Sequence, residues 1–331
     1  MKSIYERTLQ SLLEDPLIAE IAPEAIRARD LSKDEFYTWT LEKIDREMHW
    51  SSLNRGFTRL FTLAERGQYY YPLYTAEECA AAPEKKGVNL VRFPSDDPAA
   101  DSRPFILLVP GGGFVNVWNL TEGWPVAQHF NERGYHVFIL TYRVCTEAAA
   151  VCAMEDAAKA MRLIEAHAGE FRVNPARYIT CGFSAGGYLV CLWNTEKGYA
   201  AYGLPKPEAC FPVYPVTSYR LMEAEEWDEG DDKDEMAHGS VGCTMKEACE
   251  SCFEIPEHVE GFPPSAIFLA AGDELVDPEH SKKLAAALDK AGIPCRLEIG
   301  PEGGHGFADG TGMCMEGWSE RAIDWFEQGA R

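Results

Sequence analysis

The stretch Gly182-Phe183-Ser184-Ala185-Gly186-Gly187 constrains this chain more than any other. Before it runs Arg177-Tyr178-Ile179-Thr180-Cys181, β-branched and aromatic, which reads as a short buried strand. After it, residues 188–193 are apolar throughout and continue as a buried helix. A Gly-x-Ser-x-Gly between strand and helix is a nucleophile elbow: a turn so tight that its flanks tolerate almost only glycine, with the serine hydroxyl at its tip. The string alone is common. Its setting is what gives it weight.

Two further motifs agree with it. Phe105-Ile106-Leu107-Leu108-Val109 is a continuous apolar run followed by Pro110-Gly111-Gly112-Gly113-Phe114. Three glycines after a buried strand could form a plain flexible turn. Upstream of a nucleophile elbow, they can instead aim backbone amides at one point, as an oxyanion loop does. Near the C-terminus, the strand-like run 266–271 ends at Gly272-Asp273-Glu274-Leu275-Val276-Asp277. A helix is expected over 279–291 and a strand over 295–299, running into Gly303-Gly304-His305-Gly306-Phe307. The order serine, aspartate, histidine then gives each part a task. Ser184 attacks, His305 takes and returns the proton, and Asp273 orients the imidazole and stabilises its cationic form.

With these residues in hand, the chain resembles the α/β-hydrolase superfamily, and within it the hormone-sensitive-lipase-like and acetyl-esterase branch. The resemblance covers residues 88–328. It implies that Gly112 and Gly113 carry oxyanion donors, that the amide of Ala185 is the third, and that Asp273 rather than Asp277 is the acid of the triad. Pro110 is a departure, because the family usually has histidine there; proline fixes φ and stiffens the loop entry without that side chain. The reaction implied needs neither cofactor nor metal.

The rest of the chain fits an α/β fold with a doubly wound, mostly parallel sheet and helices on both faces. Residues 135–142 read as a strand, preceded by a helix over 123–133 and followed by one over 151–168. Alternating helices and apolar runs imply right-handed crossovers, with the chemistry at the carboxyl ends of the strands. His129, His136 and His167 fall in these elements and read as structural. Residues 1–87 form a helical N-terminal segment, with helix-like spacing over 4–13, 32–50 and 52–64, and are expected to contribute to a cap. Tyr69-Tyr70-Tyr71-Pro72-Leu73-Tyr74 reads either as a strand or as an aromatic wall of the pocket. Residues 88–331 form the catalytic domain, with a lid insertion over 217–261.

Composition narrows the partners. A net charge of −22 excludes nucleic acid and anionic membrane surfaces. Nine of its carboxylates crowd into residues 223–235, a solvated loop or a lid rim that repels anions. No apolar stretch is long enough to span a bilayer and no leader-like run opens the chain, so a cytoplasmic location is expected. Eleven scattered cysteines fit reducing conditions. Cys243, Cys249 and Cys252 are the one cluster; zinc there would need a fourth ligand such as His238 or His258, and ordinary thiols in a lid are the simpler reading.

The expected function is a serine carboxylester hydrolase acting on short, acetyl-type esters of a small neutral alcohol or sugar. Phe114, Val117 and Trp118, flanking the glycines, would shorten the acyl pocket. A prolyl-oligopeptidase-like peptidase is the alternative, although Ala185 after the serine and the short chain speak against it. A ligand-binding protein that has lost catalysis comes third. Assembly into a homo-oligomer is left open.

Overall fold

The computed structural model describes residues 3–50, 52–67, 69–225 and 232–330. Eight strands form one sheet: β1 (Tyr70–Pro72), β2 (Asn89–Phe93), β3 (Phe105–Val109), β4 (Val137–Thr141), β5 (Tyr178–Phe183), β6 (Ala209–Val213), β7 (Ser265–Ala270) and β8 (Cys295–Gly300). Their spatial order is β1-β2-β4-β3-β5-β6-β7-β8. β2 pairs antiparallel with β1 and β4, and every other pairing is parallel. The doubly wound, mostly parallel sheet expected from the sequence is what the chain forms.

The central strands β3 to β7 are buried along their whole length because both faces of the sheet are covered there. Successive side chains of β3 go to opposite sides. Ile106 and Leu108 pack with Trp124, Phe130 and Trp318, from the helices Trp124–Glu132 and Trp318–Glu327. Phe105, Leu107 and Val109 pack with Met154, Leu189 and Leu284, from the helices Ala149–Ala166, Ser184–Trp193 and Glu279–Lys290.

The N-terminal segment is built into this body. β1 is hydrogen-bonded to β2, so the sheet begins before residue 88, and Tyr70–Pro72 is strand rather than pocket wall. Leu9, Leu12, Ile18, Phe57 and Leu60 share the first core with Trp124 and Phe130. The apolar stripe of the helix Leu53–Arg66 lies against the helix Trp124–Glu132, with Phe57 edge-on to Trp124 at 5.5 Å. Farther back, Arg27 N donates to Val117 O (3.0 Å) and Leu120 N to Ala25 O (2.7 Å). The segment therefore underpins the sheet. The long helix-like stretch 32–50 is broken: 3-10 turns at Leu31–Lys33 and Glu35–Thr38 precede an α-helix at Leu41–Met48. Extended backbone at Trp39 and Thr40 ends one and starts the next, the Thr40 hydroxyl capping the amide of Lys43.

Between β6 and β7 lie the helices Tyr219–Ala224, Lys233–Val241 and Met245–Cys249, within the expected lid. Residues 226–231, the centre of the acidic stretch, fall outside the described residues. No helix among the described residues is long and apolar enough to cross a membrane.

Candidate active site

β5 ends at Phe183, and Ser184 opens the next helix with φ of +51°. That left-handed backbone is costly for a residue with a Cβ and persists only where the surroundings force it. Its neighbours show how they do so. A Cβ on Gly182 would strike the carbonyl of Gly186, and one on Gly186 would strike the carbonyls of Val109 and Pro110. Glycine at both positions lets β5 turn straight into the helix, with Ser184 at the corner.

His305 connects the serine to an acid. Its Nε2 lies 2.9 Å from Ser184 Oγ and its Nδ1 2.7 Å from Asp273 Oδ2. Asp273 is buried, and its other oxygen accepts from the amides of Leu275 (3.0 Å) and Val276 (2.9 Å). These bonds fix the carboxylate beyond the end of β7. Asp277 takes no part; it accepts from Glu279 N at 2.8 Å, at the start of the helix Glu279–Lys290. A second histidine, His280, ties that helix to the segment after β6: its Nδ1 accepts from the amides of Thr217 and Ser218, each at 3.1 Å. Burial holds it neutral, its pKa lowered to about 4.

The glycine loop faces the same corner. Gly112 and Gly113 have φ of +133° and +63°. The carbonyl of Gly112 accepts from Val115 N (3.1 Å) and Asn116 N (2.9 Å), and that of Gly111 from Trp118 N (3.1 Å). With the carbonyls turned back into the loop, no described residue accepts from the amides of Gly112 and Gly113. The amide of Ala185, in the first turn of its helix, likewise has no intrahelical acceptor. Where the family usually has histidine, Pro110 is held through its carbonyl, which accepts from Tyr142 Oη at 2.8 Å. The next amide, Gly111 N, donates to Glu122 Oε2 at 2.6 Å.

Glu122, Tyr142 and Tyr214 escape a reading of sequence alone. The available signal was slight: one acid, Glu122, in an otherwise uncharged run from Leu120 to Ala127. Tyr214 packs its ring on His305 with centroids 4.7 Å apart.

A cavity of about 900 Å³ opens over Ser184. Its aromatic walls are Trp50 and Trp118 on one side, edge to face at 6.2 Å, and Phe114 and Tyr188 on the other, at 6.1 Å. Of the three flanking residues expected to shorten the pocket, Phe114 and Trp118 line it. Val117 does not; it is fully buried and bridged to Arg27. The segment between β6 and β7 supplies Tyr219 and Met236, and the N-terminal segment supplies Trp50. Leu275 and Val115, 75% and 55% exposed, stand at the mouth.

The other candidates lie elsewhere. His129 is bound to Asp309 at 2.8 Å, His136 Nδ1 accepts from Ser95 N, and His167 pairs with Glu170. All eleven cysteines are free thiols. His258 is paired with Glu196 at 3.0 Å, and no group of three or more potential metal ligands gathers among the described residues.

Fold and site together define an α/β-hydrolase. Residues 94–288 match the BD-FAE family model, and the chain belongs to that family. It is 28% identical over 231 residues to an acetylxylan esterase of Xylanibacter ruminicola, covering 67% of this chain and 44% of that one. The chain spans less than half the length of the curated relatives it matches. Among solved structures, it is similar to the acetyl ester-xyloside bifunctional hydrolase of Caldicellulosiruptor lactoaceticus, with a TM-score of 0.63 and 25% identity over 78% of this chain and 95% of that one. It also shares its fold with a thermophilic esterase of Thermogutta terrifontis solved with butyrate (TM-score 0.61, 22% identity, 79% of this chain and 94% of that one).

Proposed function

We propose that the protein is a serine carboxylester hydrolase that cleaves short acyl esters, acetyl above all, of a small neutral alcohol or sugar. The observation that carries the reading is His305, hydrogen-bonded at once to Ser184 Oγ and Asp273 beneath an open cavity. In this reading His305 Nε2 removes the serine proton as Oγ attacks the ester carbonyl. The amides of Gly112, Gly113 and Ala185 take up the negative charge on the carbonyl oxygen. Imidazolium then protonates the departing alcohol, leaving an acyl group on Ser184. Water, deprotonated by the same imidazole, attacks that acyl-enzyme and restores the serine.

Support for a short acyl group comes from Phe114 and Trp118, bulky neighbours of the oxyanion glycines that both face the cavity. The names of the relatives that act on acetyl esters and xylosides agree with it. A cavity of about 900 Å³ exceeds the needs of an acetyl group, and the surplus space suits the alcohol.

The test is a p-nitrophenyl ester series from acetyl to dodecanoyl, run beside acetylated xylo-oligosaccharides. The expected kcat/KM is highest for acetyl and butyryl and falls for decanoyl and longer chains. A steady rise with chain length would overturn the short-acyl reading and leave the esterase reading standing.

A further inference from the structure

Glu122 is a buried carboxylate in the cavity wall for which acyl transfer itself has no use. It lies in a π-helical turn, Asn119–Gly123, immediately before the helix Trp124–Glu132. Such turns are rare and frequent at functional sites. Its two oxygens serve different parts of the site. Oε2 accepts from Gly111 N at 2.6 Å, and Oε1 accepts from Tyr214 Oη at 2.9 Å. Tyr214 Oη in turn accepts from Ala308 N at 3.2 Å, three residues beyond His305. Gly111 is wedged against the elbow: a Cβ there would lie 2.6 Å from Phe183 O and 2.9 Å from Ser184 Cβ.

Burying a carboxylate is expensive, and a well-packed apolar side chain generally serves stability better. Among the described residues no lysine or arginine pairs with Glu122; its partners are an amide and a phenol. What the carboxylate supplies is therefore geometry. We infer that Glu122 is a positioning residue: it sets the glycine loop against Ser184 and, through Tyr214, fastens that loop to the one carrying His305. The inference rests on the serine-hydrolase reading above.

Two conservative variants separate position from charge. Glu122→Asp keeps the charge but draws the acceptor back by about one carbon–carbon bond, ~1.5 Å. Glu122→Gln keeps the reach and loses the charge; its carbonyl accepts from Gly111 N and its amide group donates to Tyr214 Oη, whose own proton gives up its carboxylate acceptor. Both are assayed with p-nitrophenyl acetate and with a trifluoromethyl ketone, which forms a tetrahedral oxyanion adduct on the serine. Active sites are counted with a fluorophosphonate.

Per active site, Glu122→Asp is expected to lose kcat by on the order of 10²-fold with KM within about threefold. The inhibition constant of the ketone should rise by the same factor as kcat/KM falls. Glu122→Gln should stay within about fivefold of the parent on both measures. A purely structural role would lower the melting temperature and the fraction of active sites and leave the ketone's affinity for those sites unchanged. That result would overturn the inference. So would Glu122→Gln losing as much as Glu122→Asp, which would assign the effect to charge. A parent protein that neither hydrolyses the ester nor takes the fluorophosphonate at Ser184 would instead remove the hydrolase reading itself.

Discussion

Asp273 and Asp277 stand four positions apart on one loop and do different work. The first holds His305 Nδ1 and is itself held by two amides; the second accepts from the first amide of a helix. Asp273→Asn is accordingly expected to lower kcat by on the order of 10⁴-fold, since the amide presents the imidazole in the wrong tautomer. Asp277→Asn should leave kcat within a few fold, because the asparagine carbonyl oxygen can accept from Glu279 N as the carboxylate does. Steady-state kinetics at matched melting temperature check the pair, and reversed effects would move the acid to Asp277. The placement of Ser184, Asp273 and His305 was legible because each follows a strand, apolar before Ser184 and Asp273, and sits among glycines or other turn residues. Glu122 and Tyr214 were not, because their meaning lies in contacts between segments distant in sequence. No local pattern marks a carboxylate that will meet an amide of another loop.

At the level of elements, the buried parallel strands were the clearest part of the sequence, since burial on both faces writes itself as an unbroken apolar run. The stretch 32–50 misled because apolar spacing continues through it while the cap at Thr40 and the extended residue before it restart the backbone. His129 illustrates an element doing more than its sequence declares. It anchors the helix Trp124–Glu132 to Asp309, on the segment that follows His305, and to Glu320 at the C-terminal helix. Burial opposes a charge on it, but hydrogen bonds to Asp309 and Glu320 outweigh that and lift its pKa from 6.5 to about 9. A histidine raised in the folded state stabilises it fully below its unfolded value and loses that contribution as pH climbs through the folded one. The contribution, on the order of 3 kcal/mol, should therefore be complete below pH 6.5 and gone above about 9. Thermal melts of the parent and His129→Gln should differ most at pH 6 and converge toward pH 10. A difference that does not change with pH would show that the imidazole carries no charge in the folded protein.

For the whole molecule, the N-terminal segment, expected to contribute to a cap, also serves as a foundation for the sheet. Its helices lend the sheet a core face, its chain runs behind Val117 and Leu120, and it reaches the cavity with Trp50. Two variants separate these roles. Leu60→Ala should cost about 2–5 kcal/mol in denaturant unfolding with KM little changed. Trp50→Ala should change KM or acyl preference while unfolding shifts by less. The opposite pattern would make the segment a cap after all. In the proposed reaction Ser184 carries the acyl group between the two halves. Turnover of p-nitrophenyl acetate, stopped in acid within the first cycle and followed by mass mapping of peptides, tests it directly. An acetyl group on Ser184, absent from Ser184→Ala, is the expected result. Acetyl on another residue, or none during rapid turnover, would contradict it.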